Sequence, residues 1–133
     1  MLIARPAMIA LAMLIASPAA PARQVEDKAE QVDVLLSNFK FEPSAIQLRA
    51  GHSYVLHLVN GARGAHDFEA KTFFAAAQVD PGDRMKIPGG RIELRGGESV
   101  DIHLVAPGPG NFPVRCTHFM HSGFGMTGRI VVG

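Results

Sequence analysis

The 133-residue chain is 47% hydrophobic and 19% charged, with 13 basic and 12 acidic side chains and a formal net charge of +1. A balance this even gives no basic face for nucleic acid and no excess charge for an anionic membrane, so neither is expected as a partner. A single cysteine, Cys116, rules out a disulfide within the chain.

The chain opens with one positive charge at Arg5, an apolar run from Ala7 to Ala16, and the small-residue segment Ser17-Pro18-Ala19-Ala20-Pro21-Ala22. That is the layout of a secretory signal, and the run is shorter than the roughly 20 apolar residues a membrane span requires. Cleavage near Ala22, a periplasmic destination and no membrane insertion of the mature chain are the expectations. Residues 1–22 are then the signal and 23–31 a short lead. Residues 32–133 make one domain, long enough for one core and too short for two.

In chain order, the pattern is of short strands punctuated by glycine and proline. Val32 to Leu36 is the first strand, and Phe39-Lys40-Phe41-Glu42-Pro43 stays extended because a proline disfavours helix before it. Ala45 to Arg49 is a strand closed by Ala50-Gly51. Ser53 to Asn60 has apolar residues on both faces, Tyr54, Leu56 and Leu58 on one, and so is expected at the centre of a sheet. The loop 61–68 follows. Thr72 to Gln78 favours one short helix through its alanines, ending before the turn Asp80-Pro81-Gly82. Arg91 to Arg95 and Glu98 to Val105 form two strands around Gly96-Gly97, expected as a hairpin. Val100, Ile102 and Leu104 face inward. Phe112 to Thr117 is a strand with Pro113 near an edge, and Gly128 to Val132 is the last. About seven such strands predict an all-β sandwich.

An exported protein usually pairs its cysteines, so a lone one asks for another explanation. The connection Cys116-Thr117-His118-Phe119-Met120-His121-Ser122-Gly123-Phe124-Gly125-Met126 supplies it, with a thiol, two imidazoles and two thioethers in one loop. Trigonal His, His and Cys with a weak axial Met is the ligand set of a mononuclear electron-transfer copper site. The second histidine must come from elsewhere, and His66 is the best candidate because a sandwich gathers its loops at its ends. Asp67 beside it is expected to accept hydrogen bonds from Thr117 beside Cys116. His118 is read as an auxiliary residue, since successive extended residues point apart. His52, His57 and His103 are read as structural or exposed.

The spacing Cys116-x4-His121-x4-Met126, followed by Gly128-Arg129-Ile130-Val131-Val132, resembles the cupredoxins. So do Phe39-x-Phe41-x-Pro43-x-x-Ile46, the Ala50-Gly51 turn, and Asn60 with His66-Asp67-Phe68. The resemblance implies an antiparallel Greek-key β-sandwich binding one copper ion, Cu(I) or Cu(II), at one end. His66, Cys116 and His121 are implied as strong ligands and Met126 as the long axial one.

What this implies is a non-catalytic, monomeric electron carrier. It would meet redox proteins by transient apolar contact near His121, where Phe119 and Phe124 would form a docking patch. The alternative is a periplasmic copper chaperone or resistance protein that hands copper to trafficking partners, with His118 and Met120 as transfer ligands. A copper enzyme would need a second metal site and further histidines, and a binuclear centre would need a second bridging cysteine.

Overall fold

The alternation of apolar and polar residues decides which side of each strand is inside. In the computed structural model, which describes residues 28–118, 123 and 125–133, that alternation is visible in most strands. The expected signal therefore lies outside the described residues, as do Phe119, Met120, His121, Ser122 and Phe124. Ten strands and one helix follow in order: β1 (Glu30–Ser37), β2 (Lys40–Glu42), β3 (Ala45–Leu48), β4 (Ser53–Asn60), β5 (His66–Glu69), α1 (Lys71–Ala76), β6 (Gln78–Val79), β7 (Arg91–Leu94), β8 (Ser99–Val105), β9 (Gly110–Arg115) and β10 (Thr127–Val132).

They form two five-stranded sheets, ordered β2-β1-β4-β8-β6 and β3-β10-β9-β5-β7. The sandwich matches the expected fold class. Pairing is mostly antiparallel, but β1 runs parallel to β4 and β3 parallel to β10. β4 lies at the centre of its sheet, as its two apolar faces predict.

Between the sheets, Leu36, Leu58, Ile102, Phe68, Phe73 and Ile130 are wholly buried. Each such side chain stabilises the fold by about 1.5–3 kcal/mol through removal from water. Phe68 makes edge contacts with Phe41 and Phe74 at 5.6 and 6.2 Å between ring centroids, and Phe73 contacts Phe112 at 5.6 Å. The six-residue helix α1 has no side-chain cap at its start. A helix this short is marginal alone, and these phenylalanine contacts hold it in place.

Three expectations are corrected. The first strand begins at Glu30, inside the presumed lead. The loop after β4 contains β5, hidden from periodicity because all four of its residues are buried. Gly96-Gly97 does not close a hairpin: β7 pairs with β5 in one sheet and β8 with β4 in the other, so the turn crosses between sheets. The crossing is tight enough that a Cβ on Gly96 would stand 2.1 Å from the Arg63 carbonyl oxygen. Pro113 is near a local edge, as expected, although it lies opposite Arg129 of β10. Its missing N–H is tolerated because β5 pairs with β9 only at Glu69 and Arg115, leaving a local edge at Pro113.

The segment from 80 to 90 is tied to β8 by Asp83, which is 7% exposed. Its carboxylate accepts the His103 N–H and ring Nδ1, both at 2.8 Å, and pairs with Lys86 at 2.7 Å. Burial opposes the charged form, but the bonds from Lys86 and His103 outweigh it and hold the carboxyl at about 2. A depressed carboxyl stabilises the fold above its unfolded value of 3.8, and that contribution fades as pH falls toward 2. Asp83→Asn is expected to cost about 1 kcal/mol in urea unfolding near neutral pH, after allowance for solvent around Lys86. The wild-type and variant unfolding curves should converge as the solution is acidified through that range.

Candidate metal centre

β4 ends, β5 begins, β9 ends and β10 begins at one end of the sandwich, as the strand pairings require. Asn60, the last residue of β4 and wholly buried, shapes the loop that follows. Its Nδ2 donates to the carbonyls of Gly64 at 2.9 Å and Leu94 at 3.0 Å, and its Oδ1 accepts the Ala62 N–H at 3.0 Å. A side chain that satisfies two backbone groups of a loop and one of the neighbouring β7 fixes where the loop ends, and this one ends at His66.

His66 is 3% exposed, and its Nδ1 stands 3.8 Å from the Sγ of Cys116, which is wholly buried. The Cys116 N–H donates to the Met126 carbonyl at 3.1 Å, closing the base of the 116–126 connection. Met126 is buried there as well. Two ligands held at about 2.3 Å by sulfur and about 2.0 Å by nitrogen stand about 3.8 Å apart in trigonal directions, so the pair is spaced to share one ion. Burial pushes the Cys116 thiol above its ordinary value, while the backbone N–H groups of Asp67 and His118, which bond the sulfur, oppose the rise. Those two donors are ready to stabilise a thiolate.

Asp67 is also wholly buried and reaches Cys116's neighbour. Its Oδ1 accepts the Thr117 N–H at 2.6 Å, and its Oδ2 accepts the Thr117 hydroxyl. Arg91 donates from one nitrogen to Asp67 Oδ2 and to Thr117 Oγ1, both at 3.3 Å. His118 Nε2 meets Glu93 at 2.8 Å. Asp67, Glu93 and His118 bring three potential ligand atoms within 4.8 Å of one another. A cation there would face the Arg91 guanidinium, which already occupies the Asp67 oxygen, so the cluster works as an ion-pair network.

Of the residues singled out from sequence, the structure brings together His66, Cys116, Met126, Asp67, Thr117 and His118. His121 and Met120 lie outside the described residues. His57 pairs with Asp101 at 2.5 Å and His103 with Asp83, both on the outer face of the other sheet. Sequence reasoning missed Arg91 and Glu93 as contributors, and it singled out Asn60 only through the resemblance, without a role. The alternation in Arg91-Ile92-Glu93-Leu94 marks the first and third as outward, but only the register of Glu69 with Arg91 and Asp67 with Glu93 aims them at this loop.

Two packed sheets with soft-ligand side chains gathered at one end define a β-sandwich of the copper-protein type. The chain belongs to the cupredoxin family: it matches the Cupredoxin-like domain over residues 6–132. Among solved structures it is similar to a dithionite-reduced auracyanin from Roseiflexus castenholzii, with 16% identity, a TM-score of 0.59, and coverage of 79% of this chain and 98% of that one. It is also similar to auracyanin B, with 21% identity, a TM-score of 0.57, and coverage of 79% and 89%. A multicopper oxidase from Campylobacter jejuni shares 12% identity with a TM-score of 0.57, covering 78% of this chain but 30% of the oxidase. No curated protein matches the chain by sequence. Among the described residues no helix is long and apolar enough to cross a membrane.

Replacing Asn60 with Ala strands two backbone groups in the loop before His66 and one at the end of β7. Chemical denaturation is expected to show a loss of about 2–4 kcal/mol.

Proposed function

We propose that the protein is a mononuclear type 1 copper protein that carries single electrons between redox partners. His66, Cys116 and His121 would hold the ion strongly, and Met126 would be its weak axial ligand. The observation that carries this reading is the 3.8 Å approach of the buried Cys116 sulfur to the buried His66 ring, with Met126 at the base of the same loop. Family membership and the likeness to auracyanin A, described as a "blue" copper protein from Chloroflexus aurantiacus, support it. That structure is matched at 16% identity and a TM-score of 0.53, over 77% of this chain and 99% of that one.

Bound copper would supply the one-electron couple between Cu(I) and Cu(II). The chain's own residues do the rest. A site assembled from buried strand ends presents one compromise geometry to both oxidation states and excludes water, so little rearranges on transfer. Because His66 is shut away from solvent, electrons would pass by way of His121, between Phe119 and Phe124 on the ligand loop. A transient partner would dock there, and the protein would act as a periplasmic monomer after loss of residues 1–22. The copper-chaperone alternative needs His118 as a transfer ligand, and its pairing with Glu93 favours the carrier. As for enzymatic function, the chain spans under a third of the multicopper oxidase it resembles, and the carrier reading asks for one copper site alone.

An absorption spectrum of the mature protein with cupric ion tests the proposal. A strong visible thiolate-to-copper band that disappears in Cys116→Ser is expected, and a colourless copper-loaded protein would overturn the assignment. A carrier should retain copper against a competing chelator through repeated oxidation and reduction, whereas a chaperone would yield it. Since the apo thiol is held protonated by burial, loading must release its proton. Apparent copper affinity should then rise by about tenfold per pH unit through the neutral range, measured by competition titration corrected for chelator protonation.

A further inference from the structure

β7 is the edge strand of its sheet, and β5 separates it from β9. Its outward side chains Arg91 and Glu93 nevertheless both reach the segment that follows Cys116. Arg91 bonds Thr117 and Asp67, and Glu93 bonds His118. We propose that Arg91 is a positioning residue for the copper site, acting through Asp67 and Thr117, and that with Glu93 it makes β7 a brace on residues 116–118. This rests on the copper reading above.

The chemistry of each group supports the assignment. Thr117 has one hydroxyl proton, which it gives to Asp67, so its oxygen is left to accept from Arg91. The guanidinium thereby fixes the rotor of the residue next to the thiolate. Asp67 is a carboxylate with none of its surface in water, next to one proposed ligand and bonded to the neighbour of another. A buried charge of that kind requires a partner, and Arg91 pairs with it while Lys71 and Arg115 are directed to Glu69. Arg91 is about half exposed, so shortening it opens no void in the core.

The sign of the effect on the metal follows from charge. The oxidised centre carries one more positive charge than the reduced one, so a nearby cation favours reduction and a nearby anion favours oxidation. Arg91 raises the reduction potential that Asp67 alone would lower.

The test uses the copper-loaded and copper-free mature protein. In Arg91→Gln, the ratio of oxidised to reduced protein at a fixed applied potential is expected to rise roughly 3- to 10-fold. Asp67→Asn should shift it the opposite way, and the double variant should return close to wild type. Arg91→Lys, which keeps the charge on a side chain one bond shorter, should keep the potential while losing the grip on Thr117. In copper-free protein the Thr117 amide should exchange with solvent roughly 3- to 10-fold faster in both Arg91 variants. A lower melting temperature with unchanged potential and unchanged Thr117 exchange would overturn the proposal, reducing Arg91 to a surface ion pair. If wild type shows no thiolate-copper band, the copper reading fails by itself, and the exchange measurement still decides whether β7 braces the loop.

Discussion

Asp67 is the interaction on which the rest of the site depends. A wholly buried carboxylate is among the most expensive groups a fold can hold, and it persists only when every oxygen is bonded. Here the bonds come from two other strand segments: the backbone and hydroxyl of Thr117 beyond β9, and the guanidinium of Arg91 on β7. Meeting that requirement draws three chain segments to one point. It also places His66 and Cys116, the immediate neighbours of Asp67 and Thr117, side by side. β5 and β9 share only the rung of Glu69 and Arg115, so the ladder alone does not set their separation.

The sandwich itself was plain from turn-punctuated alternation, and so was the inward face of β8, because Ser99 to Leu104 pits apolar against polar residues at every step. β5 escaped notice for the opposite reason. His66, Asp67, Phe68 and Glu69 are all buried, two of them charged, and burial of that kind comes from partners that no local pattern reveals. The hairpin expected at Gly96-Gly97 failed on similar grounds. Paired glycines mark a reversal of direction, but whether the chain returns to the same sheet depends on what Asn60 and Arg63 do across the corner.

Within the site, the cluster around Cys116 was legible because soft ligands at close spacing have few other uses. The bridge from Asp67 to Thr117 was legible because each adjoins a candidate ligand. Arg91 and Glu93 were not, since an outward charged residue on an edge strand looks like any solubilising one. Register turns these two into parts of the site. His118, which from sequence alone stood open as a transfer ligand, is engaged by Glu93 instead.

The topology also makes one strand a keystone. β10 is seated between β3 and β9, and it begins one residue after Met126. β3 joins the rest of its sheet through β10, and β9 meets β5 at a single rung. Loss of β10 pairing would therefore detach β3 and leave the approach of Cys116 to His66 resting chiefly on the Asp67 bonds to Thr117.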